Sequence, residues 1–163
     1  MEASLAPSGV ALEAFRETLS HVPSPVTIVT TLADGRAHAT TVSAFTSLSA
    51  DPPLVLVALD RTSDLLELLH RTGRFAVNLL ACDQADIGLD CAKKGEDKLA
   101  SVNWHPEDGL PRIEDAAAWL SCEVDQILPG GDHEIVIGLV TACDTGADEP
   151  LVYHRRRFLR LAE

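Results

Sequence analysis

Residues 34–59 read DGRAHATTVSAFTSLSADPPLVLVAL, and this stretch decides the fold. The Asp34-Gly35 pair is a strong hairpin signal, so the Val/Ile/Thr-rich segment 26–32 is expected to pair antiparallel with the strand that follows the turn. Two consecutive prolines then stop that second strand. The run at 54–59 is continuously apolar, which is typical of a buried strand.

The second strand has a distinctive face. With the period of two that strands follow, Thr41, Ser43, Phe45, Ser47 and Ser49 share one face of a continuous strand over 41–49, and Val42, Ala44, Thr46 and Leu48 share the other. Four hydroxyls around one ring can hydrogen-bond phosphate or ring carbonyl oxygens, and small side chains let a flat ligand approach the backbone. An ordinary half-solvated strand has the same pattern, so the residues alone leave both interpretations open.

Composition limits the class of protein. A length of 163 residues with 46% hydrophobic content predicts a single domain over residues 1–163, with residues 1–9 expected to be flexible. The apolar runs fall far short of the roughly 20 residues that span a bilayer. The N-terminus has no basic region before an apolar core, so we expect no membrane association and a cytoplasmic location. A net charge of −12 argues against nucleic-acid binding.

Several chemistries lack their motifs. The four cysteines, Cys82, Cys91, Cys122 and Cys143, show no CxxC spacing, which predicts buried free thiols and no metal site. GxGxxG and GxxxxGK[ST] are absent, so neither a Rossmann dinucleotide site nor a P-loop is indicated. GxSxG and HExxH are absent too, which argues against common hydrolases.

The remaining pattern predicts a small barrel. We expect helices over 10–22, over 64–71 with Asp64 as N-cap and Glu67 completing a capping box, and over 84–93. Further strands are expected at 74–80, in a long hairpin of 120–128 with 135–139, and at 157–161, whereas 95–111 reads as mostly irregular. Six or so antiparallel strands with a few short helices favour a mainly β barrel over a doubly wound sheet.

The order of the motifs carries a family resemblance. PVTIVTT at 25–31, SAFTSLSADPPLV at 43–55, FAVNLL at 75–80 and GDHEIVIGLV at 131–140 together resemble the short-chain flavin reductases of two-component flavin-dependent monooxygenases, over residues 12–161. The resemblance implies a Greek-key, FMN-binding split β-barrel, usually a homodimer. It also implies NADH- or NADPH-dependent reduction of FAD or FMN, with reduced flavin supplied to a partner monooxygenase.

The resemblance assigns roles to individual residues. It puts Thr41, Val42, Ser43 and Ala44 against the isoalloxazine and ribityl chain, with Ser47 and Ser49 continuing that face. Thr62 and Ser63 match the phosphate-contacting element, where a helix start offers free amides. The Asp64 carboxylate there competes for those amides and repels the anion. Ala92 belongs to the flavin wall, and His133 lies beside the nicotinamide.

Two basic segments have open interpretations. Lys93, Lys94 and Lys98 are candidates for a charge that compensates Asp64, or form a solvated basic loop. The cluster YHRRRF at 153–158, with Tyr153 and Arg155, holds a nicotinamide pyrophosphate or the adenylate end of a flavin, or is a charged edge strand that discourages aggregation.

The sequence departs from the family pattern at two positions, and two other functions remain as alternatives. Cys91 stands where the family often has an aromatic residue, and Arg156 where it commonly has Gly; these changes could loosen one wall of the flavin site and alter nicotinamide access. Hydride transfer needs no acid or base, so we expect none. A flavin carrier without nicotinamide activity and an oxidase that retains its flavin remain alternatives.

Overall fold

The computed structural model describes residues 9–95 and 97–161, so the flexible segment expected at 1–9 lies, apart from Gly9, outside the described residues. The helices described are α1 (Leu12–Ser20), α2 (Asp64–Thr72) and α3 (Ala85–Ala92). The strands are β1 (Ser24–Pro25), β2 (Thr27–Ala33), β3 (Arg36–Val42), β4 (Phe45–Ala50), β5 (Pro53–Asp60), β6 (Arg74–Leu79), β7 (Trp104–Glu107), β8 (Leu110–Ile113), β9 (Ala118–Gly130), β10 (His133–Thr145), β11 (Leu151–His154) and β12 (Arg157–Arg160). The mainly β class is confirmed.

Seven strands form one antiparallel sheet in the order β3-β2-β6-β9-β10-β5-β4. Its two outermost strands, β3 and β4, are consecutive in the chain and are joined only by Ser43 and Ala44, so the sheet must curl until its edges meet. There the Ala58 amide donates to the Ala44 carbonyl oxygen at 3.0 Å. We call the region formed by Ser43, Ala44 and the gap between β3 and β5 the seam. The chain returns from β5 to β6, beside β2, which gives the expected Greek-key split barrel.

The barrel interior is filled from both the sheet and one helix. Phe75 on β6 and Val57 on β5 are fully buried, and α2 adds Leu65, Leu66 and Leu69. Burial of such a side chain contributes about 1.5 to 3 kcal/mol, so α2 closes one end of the barrel as part of the core. A second cluster lies outside the barrel, beneath α3.

Several buried polar side chains on the far side from the seam are hydrogen-bonded within the protein, although Arg74 Nε and Trp119 Nε1 are buried there without a partner among the described residues. Asn78 on β6 donates from Nδ2 to the Ile28 carbonyl oxygen at 3.2 Å and accepts the Ile113 amide at 2.8 Å. Thr30 donates to the Pro111 carbonyl oxygen at 2.8 Å. These bonds fasten the β7–β8 hairpin to the sheet. We call β2, β6, β9 and the part of β10 after Ile137 the wall.

The prediction of one continuous strand over 41–49 is wrong. β3 ends at Val42 and pairs with β2, whereas β4 begins at Phe45 and pairs with β5 at the opposite edge. A register shift between Ser47 and Ser49 breaks the alternation again. Phe45 therefore packs on the barrel core, and Leu48, expected on the apolar face, is 48% exposed.

Other boundaries also differ. The first helix begins at Leu12 and ends at Ser20, and the segment predicted to be irregular contains the β7–β8 hairpin. Its Asp108-Gly109 turn has φ angles of 50° and 73°, so it uses the same device as Asp34-Gly35. The expected final strand is the second half of the β11–β12 hairpin.

The cysteine prediction holds in part. Cys91 and Cys122 are buried free thiols as expected, but Cys82 is half-buried and Cys143 is exposed. Cys143 is near the end of β10, where it pairs with Leu120 on β9. Among the described helices, none is both long and apolar enough to span a membrane.

Candidate functional site

Two adjoining cavities open at the seam and share Thr40, Asp60 and Ser63 on their lining. The smaller, about 200 Å³, lies between β3, β5 and the start of β10. We call it the seam cavity. The larger, about 670 Å³, extends between β3, the start of α2 and the loop after α3. We call it the lysine cavity. Together they form one groove along the split in the barrel.

The seam cavity gathers most of the residues assigned to the flavin ring. Thr41, Val42, Ser43 and Ala44 line it, and so does His133 from the opposite side. His133 starts β10 and pairs in register with Asp60, the last residue of β5, so the strand pairing itself puts the imidazole at the groove. A flat ring lying on the backbone at Ser43 and Ala44 would therefore have an imidazole within reach.

The side chains over 41–44 do not act alike. Thr41 donates its hydroxyl to the Gly88 carbonyl oxygen on α3 at 2.6 Å, and Val42 is buried in the barrel core. Ser43 and Ala44 are exposed, and the Ser43 carbonyl oxygen accepts the Phe45 amide at 3.0 Å. Ser43 thus offers a hydroxyl to a ligand, whereas Thr41 chiefly ties the groove floor to α3.

His133 has a fixed neighbour. Its Nδ1 lies 2.7 Å from the Asp132 carboxylate, and the carbonyl oxygen of Asp132 accepts the Arg61 amide at 3.1 Å. The turn at the start of β10 is thereby joined to the segment that follows β5. His133 is 42% exposed at its side chain, so the ring remains open to a ligand.

The junction of β5 and α2 forms the shared rim. Asp60 accepts both the Thr62 amide at 2.7 Å and the Thr62 hydroxyl at 2.6 Å, and these bonds hold the pKa of the Asp60 carboxyl below its usual value. Ser63, and not Asp64 as predicted, is the N-cap of α2, and it makes no side-chain capping bond. Asp64 is the first helical residue, so the first-turn amides of α2 lack a bond from the N-cap side chain.

The third part of the groove comes from the end of α3. Ala92, Lys93, Lys94 and Lys98 line the lysine cavity, as expected of Ala92 and Lys98. The thiol of Cys91 is fully buried, and its sulfur donates to the Lys98 carbonyl oxygen at 3.7 Å. Burial raises the pKa of Cys91 to about 11, which keeps this thiol neutral and unreactive. Cys91 therefore anchors the backbone that carries Lys98.

Four predicted residues are not part of the groove lining. Ser47 and Ser49 lie on β4 beyond the break at Ser43 and Ala44, and neither cavity reaches them. Tyr153 and Arg155 lie on the β11–β12 hairpin, where the Tyr153 ring packs 5.3 Å from Phe158 and the Arg155 amide donates to Ser20. Their contact with a cofactor stays a prediction.

Comparison with known proteins identifies the family. A model of the flavin reductase like domain matches residues 19–162. The chain belongs to this family. It is 39% identical, over 88% of its length and 78% of the relative's, to the reductase component of a 4-nitrophenol 4-monooxygenase/4-nitrocatechol 2-monooxygenase from Rhodococcus opacus. It is 40% identical to a probable flavin reductase from Rhizobium meliloti over 87% of this chain, but it spans only 46% of that relative's length.

A solved structure supports the same assignment. An NADH:FAD oxidoreductase from Streptomyces globisporus, solved in complex with NAD and FAD fragments, aligns with a TM-score of 0.88 and 30% identity over 92% of each chain. At that similarity the flavin reductase fold extends over almost the whole chain. The mainly β split barrel is therefore shared with a protein that binds both cofactors.

Sequence reasoning missed part of the groove of this flavin reductase like domain. Thr40 and His38 line the lysine cavity from β3, and Asp60 contributes to both cavities. By the period of two Thr40 shares the face of Val42, and Asp60 directly follows the apolar run at 54–59, so neither position carries a signal of its own. Only the register of β10 against β5, which pairs Asp60 with His133, could have indicated its place.

Proposed function

We propose that this protein is an NADH-dependent flavin reductase that transfers a hydride to FAD or FMN and supplies the reduced flavin to a separate monooxygenase. The observation that carries the proposal is the position of His133 across the seam cavity from Thr41, Val42, Ser43 and Ala44. One cavity thus holds the residues assigned to the flavin ring and the residue assigned to the nicotinamide.

The chain's residues bind and orient the two rings. Ser43 and the neighbouring backbone receive the flavin ring, Ser63 and the first turn of α2 receive its phosphate, and His133 donates to or stacks on the nicotinamide. When both cofactors are bound, hydride passes from nicotinamide C4 to flavin N5, which requires the two atoms at about 3 to 3.5 Å. No side chain has to act as acid or base in this transfer.

The seam suits a flavin that is used as a substrate. The groove is open to solvent along β3 and α2, and its lining is mostly small or exposed side chains. An open groove permits release of the reduced flavin, which a partner monooxygenase needs. The cytoplasm is the location we assign to this exchange.

A homodimer is part of the proposal. The apolar side of α1 and the residues just after it support the dimer, because Leu12, Phe15, Leu19 and Val22 are all about half exposed or more. Exposed apolar residues in a row mark an interaction surface. Light scattering should report twice the chain mass, and Phe15→Glu should favour the monomer if this surface is the interface.

The test is anaerobic turnover under an excess of flavin. Purified protein is mixed with NADH and FAD, FMN or riboflavin, and the loss of flavin absorbance is followed. We expect many flavins reduced per protein, with NADPH run in parallel. Stoichiometric binding without reduction would instead indicate a carrier, and a flavin that co-purifies and does not exchange would indicate an oxidase.

A further inference from the structure

A side-chain pair joins α2 to β10 one residue away from His133. The Nε2 atom of His70, in the last turn of α2, lies 2.9 Å from a carboxylate oxygen of Glu134. Glu134 directly follows His133 at the start of β10, and it is half-buried. Neither His70 nor Glu134 lines the seam cavity or the lysine cavity. The pair is thus next to the groove in the chain but is not part of its surface.

The strand register gives the side of β10 on which each residue lies. His133 pairs with Asp60, whereas Glu134 pairs with Leu59. Directly paired residues of two strands share a face of the sheet, and successive residues alternate. Leu59 is buried in the core cluster to which α2 contributes, so Glu134 lies on the α2 side of β10 and His133 on the groove side. Because both side chains leave adjacent positions of one backbone, a roll of the strand that displaces Glu134 also displaces the imidazole.

The other contacts of His133 leave this roll poorly restrained. Its Nδ1 partner, the exposed Asp132, belongs to the same turn, so that contact orients the ring only relative to the turn. The Arg61 amide holds the Asp132 carbonyl oxygen from the segment after β5. Among the residues that the structure describes, no side-chain hydrogen bond or ion pair other than that of His70 with Glu134 joins α2 to β10. Since α2 also forms the rim of the groove at its first turn, the pair relates the position of His133 to the element assigned to the flavin phosphate.

We propose that Glu134, held by His70, is a positioning residue for His133. It fixes the imidazole in the position across the seam cavity where a nicotinamide can stack on the flavin ring, and it touches neither cofactor. The inference rests on the proposed function, since it takes His133 to contact the nicotinamide. Loss of the pair should therefore impair the use of NADH and leave the binding of oxidised flavin unchanged.

The first test is a double-mutant cycle on steady-state kinetics with NADH and FAD. His70→Ala and Glu134→Ala should each raise the KM for NADH about fivefold, the effect expected when one hydrogen bond is lost, with kcat and the dissociation constant of oxidised flavin within about twofold of wild type. The double variant should be no worse than either single variant, because both changes remove the same interaction. Glu134→Gln keeps an oxygen that accepts from His70, and its KM for NADH should stay within about twofold of wild type.

The second test needs no cofactor. The ring signals of His133 in a proton–carbon NMR spectrum of the protein without flavin or NADH are assigned by their loss in His133→Ala. His70→Ala should shift those signals, although it changes a residue on another element. Signals that stay at their wild-type positions would overturn the positioning role.

Arg71→Ala is the matched control. Arg71 follows His70 in the last turn of α2, and its guanidinium lies 2.8 Å from the carboxylate of Asp34, in the turn between β2 and β3. Arg71→Ala and His70→Ala each remove one largely exposed pair from the same helix, so both should lower the thermal midpoint by less than about 4 °C. The KM for NADH should rise in His70→Ala alone. An equal rise in Arg71→Ala would mean that these pairs act only through the general stability of α2, and the proposal would be wrong.

Failure of this proposal differs from failure of the proposed function. If His133→Ala raises the KM for NADH about tenfold and His70→Ala does not change it, the function stands and the positioning role is wrong. If His70→Ala weakens the binding of oxidised flavin as much as that of NADH, the pair serves α2 as a whole, and the positioning role is again wrong. A protein that reduces no flavin with NADH would contradict the proposed function, and the NMR shift would then still decide whether His70 and Glu134 set the position of His133.

Discussion

The wall and the seam treat their polar groups in opposite ways. On the wall, Thr27, Thr30 and Asn78 are fully buried, and each side chain is hydrogen-bonded within the protein. At the seam, Ser43 is exposed and Ser63 half-buried, and neither makes a side-chain hydrogen bond to the rest of the described chain. The wall pairs the side chains of Thr27, Thr30 and Asn78 to hold the fold, whereas the seam pairs Thr41 and Thr62 within the protein but leaves the hydroxyls of Ser43 and Ser63 available for a ligand.

This comparison explains why the two regions should respond differently to change. Substitutions in the wall should alter stability, because buried groups there have no water to replace a lost partner. Substitutions at the seam should alter binding and turnover, with little effect on stability.

Thiol reactivity should give the largest contrast within the wall's own strands. Burial raises the pKa of Cys122 on β9 to about 12. Compared with an ordinary thiol pKa of 9.0, this leaves roughly a thousandfold less thiolate near pH 8. Exposed Cys143 on β10 should therefore react rapidly with a chromogenic disulfide, and Cys122 only after unfolding. With the half-buried Cys82 replaced by serine as well, Cys143→Ser should abolish the fast phase; a fast phase that survives both changes would show that the wall is not closed.

A methyl group at Gly138 should destabilise the wall. An added Cβ would lie 2.5 Å from Phe75 Cζ and 3.0 Å from Cys122 Cβ, and Phe75 is completely buried. Gly138→Ala should therefore lower the free energy of unfolding by about 2 kcal/mol or more, measured in urea.

Gly131→Ala is the comparison for Gly138→Ala, because Gly131 lies in the turn between β9 and β10. A Cβ added at Gly131 would meet no atom within 4 Å, but the backbone there has a φ of +74°. We therefore expect the free energy of unfolding to fall by about 1 kcal/mol. Equal losses at the two positions would contradict tight packing at Gly138.

His133→Ala should separate nicotinamide use from flavin binding. Since His133 is assigned to the nicotinamide, we expect the KM for NADH to rise by about tenfold and the dissociation constant of oxidised flavin to change by less than about twofold. His21→Ala, on the surface after α1, serves as the control and should behave as wild type. Equal loss of nicotinamide turnover and flavin binding would argue against the assigned role.

The smallest expected effect distinguishes two serines of similar exposure. Ser63→Ala should weaken FMN by about threefold to fivefold and leave riboflavin unchanged, because one neutral hydrogen bond to the phosphate contributes about 1 kcal/mol. Ser49→Ala, on β4 outside both cavities, should leave both affinities unchanged. An effect at Ser49 would restore the continuous hydroxyl face that the structure divides.

Much of the fold could be predicted because its signals are local. The Asp34-Gly35 turn, the apolar run of β5 and the long β9–β10 hairpin each depend on residues close together in the chain. The β7–β8 hairpin was missed because its strands are only four residues long, too short for a period of two to be recognised.

The site was predictable only where one segment supplies it. The strand period indicated Thr41 and Ser43, and the resemblance added Val42, Ala44, Thr62 and Ser63; their contact with a flavin stays a prediction. The break between β3 and β4 depends on which strands they pair with, and these partners are distant in sequence. The roles of Asp60 and His38 depend on how the sheet curls, which no local pattern encodes.

The turn at Arg155 and Arg156 has a consequence for engineering. Both residues have positive φ, 49° and 64°, a conformation that favours Gly and costs other residues roughly 1 to 2 kcal/mol. Arg156 also lies 3.4 Å from Glu17 and 3.8 Å from Glu13, and these exposed ion pairs add to the bond from the Arg155 amide to Ser20 that ties down α1, a helix with no buried residue. Arg156→Gly would relieve the backbone strain and so raise thermostability, but it would also remove the ion pairs to Glu13 and Glu17 and loosen α1.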